Sequence, residues 1–129
     1  MGKIDQIKQM WADVYDPAKD TAQVIEQYFH PAYTQCVNGA VLTREAYTQH
    51  VLAQKANMRV THIDYARHLE DENSLFAIYS PKGKTHEDED IEAEVISYFR
   101  FEGDQVISIH AQVRLIKGAP SDVDMLHEV

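Results

Sequence analysis

Cysteine is almost missing from this 129-residue chain: Cys36 stands alone. One thiol forms no internal disulfide and no cysteine cluster for zinc. Basic residues are also scarce, 12 Lys and Arg against 21 Asp and Glu, for a formal net charge of −9. That balance speaks against a nucleic-acid surface, where clustered cations must neutralise phosphates. It speaks equally against an anionic membrane surface. No apolar run approaches the ~20 residues that span a bilayer. The opening Met1-Gly2-Lys3-Ile4-Asp5-Gln6 has no apolar signal-peptide core, and Gln6 stands where a myristoylation signal needs Ser or Thr. A cytoplasmic location is the expectation. There is no phosphate loop, dinucleotide glycine pattern or serine-nucleophile elbow, and no internal repeat or domain linker. No cofactor is expected.

What is present reads as one globular domain. Hydrophobic residues make up 44% of the chain and charged residues 26%, which separates it from disordered sequences. A chain of this length buries roughly two-thirds of its unfolded surface, enough for a core.

Ile4, Ile7, Trp11 and Val14, with Met10 and Tyr15 beside them, form the stripe of a first helix. Asp16-Pro17 ends it, because a residue before proline is pushed out of the helical region. Asp20 and Gln23 are spaced as N-cap and return arm of a capping box. Val24, Ile25, Tyr28 and Phe29 form the apolar face of that second helix, and His30-Pro31 ends it. Tyr33 to Leu42 is short, with Asn38-Gly39 as a hairpin signal. Thr43 is placed as the N-cap of a third helix with Glu45 in its first turn. Ala46, Tyr47, His50, Val51 and Gln54 share one of its faces.

The pattern then changes. Arg59 to Leu69 is rich in β-branched and aromatic residues, and Glu70 to Asn73 reads as a turn. Leu75 to Ser80 is a second strand, followed by a turn at Pro81-Lys82-Gly83-Lys84. Ile91 to Phe101 alternates, with Ile91, Ala93, Val95, Ser97, Phe99 and Phe101 on one face. After Glu102-Gly103-Asp104, the last strand sets Ile107, Ile109, Ala111, Val113 and Leu115 against Ser108, His110, Gln112 and Arg114. Gly118-Ala119-Pro120 ends the regular structure. The domain is therefore read as residues 1–118, with a polar, fraying tail over 119–129. Helices first and strands afterwards give an α+β class. The expected architecture is three N-terminal helices packed on a strongly curved, mainly antiparallel sheet, a cone with a pocket at its open end.

Three segments carry a family likeness: Tyr28-Phe29-His30-Pro31-Ala32-Tyr33; Val37-Asn38-Gly39 with Thr43-Arg44-Glu45; and Phe99 to Ile107 with its charged, glycine-containing turn. In order and spacing, from about Ile4 to Gly118, they resemble the SnoaL-like domains of the nuclear-transport-factor-2-like (NTF2-like) superfamily. The resemblance implies a cone fold, a homodimer through the outer sheet face, and an apolar pocket between helices and sheet. The group includes polyketide cyclases, steroid isomerases, dehydratases and proteins without known activity, so fold alone gives no function. Aligned with the steroid isomerases, the first-helix tyrosine falls at Trp11, the carboxylate base near Cys36 to Asn38, and the second oxyanion acid at Ser97. Without those groups, steroid isomerisation is not expected.

His50 is the candidate catalytic residue. It sits between Tyr47 and Val51 on an apolar helix face, and an imidazole there can act as general acid or base, or anchor a ligand. The alternative is a core histidine bonded to a neighbour. Tyr28, Tyr33, Tyr47, Tyr79 and Ser97 are the candidate ligand contacts, with ordinary packing as the alternative for each tyrosine. His62 and Asp64 share a strand face and can pair, but Ile63 and Tyr65 suit the core better, which turns the pair outward. His110, Gln112 and Arg114 belong to the outer face. The run His86-Glu87-Asp88-Glu89-Asp90 lacks calcium-loop spacing and reads as a solvated loop, so no metal is expected. Cys36 reads as a structural thiol. The expected function is binding of a small apolar or aromatic carbonyl compound, with cofactor-free acid–base chemistry of the isomerase, cyclase or dehydratase type. The alternative is a non-catalytic dimeric module that binds a protein.

Overall fold

The computed structural model describes residues 2–123. It contains helices α1 (Lys3–Val14), α2 (Thr21–Tyr28) and α3 (Arg44–Asn57), and strands β1 (Phe29–Val37), β2 (Ala40–Thr43), β3 (Met58–Glu70), β4 (Ser74–Thr85), β5 (Asp90–Glu102) and β6 (Gln105–Lys117). The strands form one sheet in the order β2-β1-β6-β5-β4-β3, curved but not closed. Every pairing is antiparallel except β1 with β6. No described helix is long and apolar enough to cross a membrane.

The helices form where local signals place them. On α1, Ile4, Ile7, Met10, Trp11 and Val14 are buried along one stripe. Asp20 Oδ2 accepts from the Gln23 amide at 3.1 Å and starts α2. Thr43 Oγ1 accepts from the Ala46 amide at 3.2 Å and starts α3. Both bonds satisfy amides that a helix leaves without partners. The apolar face of α3 is thin: Tyr47, His50 and Val51 are buried, while Ala46 is exposed. Helix α2 ends at Tyr28, so the fully buried Phe29 belongs to β1. Asn38 and Gly39 both have positive φ, 50° and 86°, as a two-residue hairpin turn requires.

Three expectations need correction. Pro81 to Lys84 is not a turn, because β4 runs through it to Thr85. Its register with β5 is the same on both sides, Tyr79 opposite Val95 and Lys82 opposite Glu92, with Ser80 and Pro81 unpaired between. The proline, which has no N–H, therefore sits in a gap of the ladder. Gly83 is required by crowding: a Cβ there would lie 2.2 Å from the Arg59 carbonyl oxygen. At the start of β6 the buried residue is Val106, not Ile107, since the register against β5 slips by one between Phe101–Val106 and Arg100–Ser108. Regular structure does not end at Gly118 either. A 3-10 turn follows at Pro120–Val123, and Val123 packs with Met58 and Ile91. The tail residues 124–129 lie outside the described residues.

The alternation expected for β5 is present: Ile91, Val95, Ser97, Phe99 and Phe101 are buried, with Ile96, Tyr98 and Arg100 exposed. The main core joins α1, α2 and α3 to this inner face through residues such as Ile7, Val51 and Phe99.

Candidate ligand cavity

The middle of the inner sheet face is built from small side chains. Ala77 pairs with Ser97 across β4 and β5, and Ser97 pairs with Ala111 across β5 and β6. All three are buried. This short floor leaves space, and a cavity of about 160 Å³ lies between the sheet and helices α1 and α3. Val95, Ile109 and Val113 supply apolar wall from the sheet, Trp11 and Tyr15 come from the α1 side, and Tyr47, His50 and Gln54 from α3.

His50 is 8% exposed, lines this cavity, and holds its ring 6.2 Å from that of Tyr47. Spacing along α3 dictates this, since residues three and four apart share a face. Tyr47, Tyr79 and Ser97 line the cavity too. Burial pushes the phenols of Tyr47 and Tyr79 far above the usual tyrosine range, so both stay protonated. Gln54 ties three parts of the wall together. Its Oε1 accepts from the Tyr15 hydroxyl at 2.8 Å, and its Nε2 donates to the Val123 carbonyl at 3.1 Å.

Two of the candidate tyrosines stand elsewhere. Tyr28 donates to Asp13 Oδ2, and Lys19 binds the same carboxylate at 2.7 Å. Lys19 and then Tyr28 hold the Asp13 carboxyl below its usual range, while burial and Asp13 push the Tyr28 phenol up to about 12. This cluster fastens the α1–α2 corner. Tyr33 is buried behind the wall, its hydroxyl donating to Gln35 Oε1 at 2.9 Å. Gln35 itself reaches the cavity.

Trp11 and Ser97 carry the most unusual feature. Trp11 Nε1 and Ser97 Oγ are buried, and neither has a hydrogen-bond partner among the described residues. Both lie close enough to the Tyr79 phenol to favour its ionised form against burial, yet neither reaches hydrogen-bonding geometry with it. Buried polar groups are nearly always paired, so two orphans in one cavity call for an explanation.

Other candidates lie outside the cavity. His62 and Asp64 are 3.7 Å apart and both more than half exposed, and Lys82 takes Asp64 at 2.7 Å. They form a solvated surface cluster on edge strand β3. His110, Gln112 and Arg114 are exposed on the outer face. Cys36 is half-buried. His86 Nε2 contacts the Ala56 carbonyl oxygen, and Arg59 and Lys84 pair with Asp88 and Asp90. Among the described residues no group of three or more His, Cys, Asp or Glu side chains is arranged to hold a metal ion. Among the described residues no Asp or Glu lines the cavity.

Known proteins agree on the architecture. A candidate isomerase from Rhodopseudomonas palustris superposes with a TM-score of 0.76 at 7% identity, covering 96% of this chain and 98% of that one. A candidate SnoaL-like polyketide cyclase from Jannaschia sp. CCS1 gives 0.64 at 11%, covering 88% and 89%. A hypothetical protein with a ketosteroid isomerase-like fold from Catenulispora acidiphila, solved with trimethylamine, gives 0.63 at 15%, covering 80% and 81%. The chain has the SnoaL-like, NTF2-like fold. No family model and no curated sequence matches it. At such identities the likeness extends to the NTF2-like fold and no further.

Proposed function

We propose that the chain binds a compact apolar or aromatic carbonyl compound in this cavity, with His50 as the group that exchanges a proton with it. The carrying observation is the cavity itself: about 160 Å³, largely apolar, with one imidazole and no carboxylate on its wall among the described residues. An apolar protein cavity of about 150 Å³ takes a benzene ring. The space therefore suits one ring with a short substituent. Burial holds the wall phenols of Tyr47 and Tyr79 protonated, and the His50 imidazole on the same wall is the ring suited to take and return a proton. Isomerisation, cyclisation and dehydration all fit one such group without a cofactor. Isomerase and cyclase both stand among the names of the similar structures.

His50→Gln separates this role from a structural one. The variant should lose about tenfold or more in acetophenone affinity or turnover, with a melting temperature within about 2 °C of the parent. A fall of several degrees with binding unchanged would make His50 a packing residue.

A specific observation favours assembly as well. On the outer sheet face Phe76, Ile96 and Tyr98 are each about 40% exposed. Phe76 lies opposite Tyr98, Tyr98 opposite His110, and Ile96 opposite Gln112. An aromatic and aliphatic patch rimmed by Arg100, His110 and Arg114 fits a second copy of the chain across a two-fold axis. Light scattering at about 100 μM should give twice the 14.8 kDa chain mass. The double change Ile96→Lys, Tyr98→Lys should return the monomer mass, since like charges would meet across the axis. A monomeric parent protein would contradict this reading. The lone thiol and the absence of a membrane-length helix among the described residues fit a cytoplasmic location.

A further inference from the structure

Val123 lines the cavity but belongs to neither the sheet nor the three helices. It ends a strap, residues 118–123, that leaves β6 after Lys117. Gly118, Ala119, Pro120 and Ser121 are exposed, whereas Val123 is buried against Met58 and Ile91, with Tyr15, Val60 and Leu115 around them. All of these neighbours line the cavity as well. Solvent therefore lies on one side of the strap and the cavity on the other, with one thickness of chain between them.

The strap is braced within itself and lightly tied to the rest. The Ala119 amide donates to Asp122 Oδ2, and the Asp122 amide to the Ala119 carbonyl, both at 2.9 Å. Among the described residues no backbone hydrogen bond joins residues 119–123 to another element. Two side chains of α3 hold them: Gln54 Nε2 donates to the Val123 carbonyl at 3.1 Å, and Asn57 Nδ2 to the Ser121 carbonyl at 3.5 Å. Gly118 joins the strap to β6 with a φ of 106°, a backbone region that favours glycine.

We infer that residues 118–123 are a gate: the strap swings about Gly118 and withdraws Val123, and a ligand passes in and out beside Met58 and Ile91. This rests on the reading of the cavity as a ligand site. Opening there breaks two side-chain hydrogen bonds and uncovers one valine, whereas a path through the sheet parts a ladder. A gate acts on entry and exit alike, so it changes both rates and leaves their ratio, the affinity, in place.

The test is Gly118→Ala in the whole chain. A Cβ at Gly118 meets Ile91 Cγ1 at 3.4 Å, an ordinary contact, so alanine strains φ in the closed strap and favours opening. Trp11 Nε1 is buried on the cavity wall without a partner among the described residues, so its proton exchanges when water passes the strap, with no ligand needed. That exchange should quicken about tenfold, the factor a left-handed backbone penalty gives. The Phe99 amide, in the middle of β5, should keep its rate. In stopped flow on Trp11 fluorescence, acetophenone association and dissociation should both quicken about tenfold, with Kd within about twofold. Asn57→Ala, which deletes only the contact from α3, should move the same rates the same way by about threefold. If Phe99 quickens equally in Gly118→Ala, the whole fold has loosened and Asn57→Ala decides. Unchanged indole exchange in both variants overturns the gate. So does acetophenone that binds with unchanged rates, or more weakly with unchanged association. Faster indole exchange without acetophenone binding supports the gate and overturns the reading of the ligand.

Discussion

Gly83→Ala should lower the melting temperature by about 10 °C, corresponding to about 3 kcal/mol, the upper end of the range for overpacking. The new Cβ would sit 2.2 Å from the Arg59 carbonyl oxygen, 3.2 Å from its carbon and 3.3 Å from the Val60 Cα. These are backbone atoms of β3, so no side chain can swing away to make room. Only separation of β3 from β4 relieves the clash, and that breaks ladder bonds along the open edge of the sheet. The penalty is steric rather than conformational. Gly39 supplies the contrast: its φ is 86° and nothing lies within 4 Å of a Cβ built on it, so Gly39→Ala carries only the left-handed backbone penalty of about 1 kcal/mol. Urea melts of the two variants should rank them in that order. A Gly83→Ala protein within about 1 kcal/mol of the parent would show that β3 and β4 do not approach as described.

Ala111→Leu should have the largest effect on binding. Ala111 is buried, faces inward from β6 and lines the cavity beside Ser97. In a filled core the extra carbons of leucine force strain. Here they enter open space and gain contacts that an unfilled wall lacks. Stability should therefore hold or rise, while acetophenone affinity falls by at least about 100-fold because a ring no longer fits. Loss of stability with binding retained would place the ligand somewhere else.

How much of this was legible in the sequence follows from the range of each interaction. The caps at Asp20 and Thr43 act on amides three residues away, so they are visible locally. The alternation of β5 has period two and needs no partner to be recognised. Pro81 and Gly83 signal a turn to any local reading. Only pairing with β3, opposite Ile63 and Val60, makes them strand residues, and Gly83 pairs with Ile91 of β5 as well. The slip at Ile107 was hidden because Val106 and Ile107 are both β-branched and either suits the core. His50 and Tyr47 could be placed on the cavity wall because helical spacing fixes a face. Tyr28 and Tyr33 could not, since their positions depend on Asp13 and Gln35, partners that sequence alone does not assign. The unpartnered donors of Trp11 and Ser97 are a property of the whole packing and have no sequence signature.

The central claim is that the cavity admits a compact carbonyl compound. Trp11 is the only tryptophan, so its indole N–H gives a single, unambiguous resonance on the cavity wall. Titrating acetophenone into the protein and into Ala111→Leu while following that resonance tests the claim most directly. A saturable shift in the parent that disappears in Ala111→Leu is the predicted result. An indole resonance that does not move at millimolar acetophenone, or that moves equally in both proteins, would contradict it.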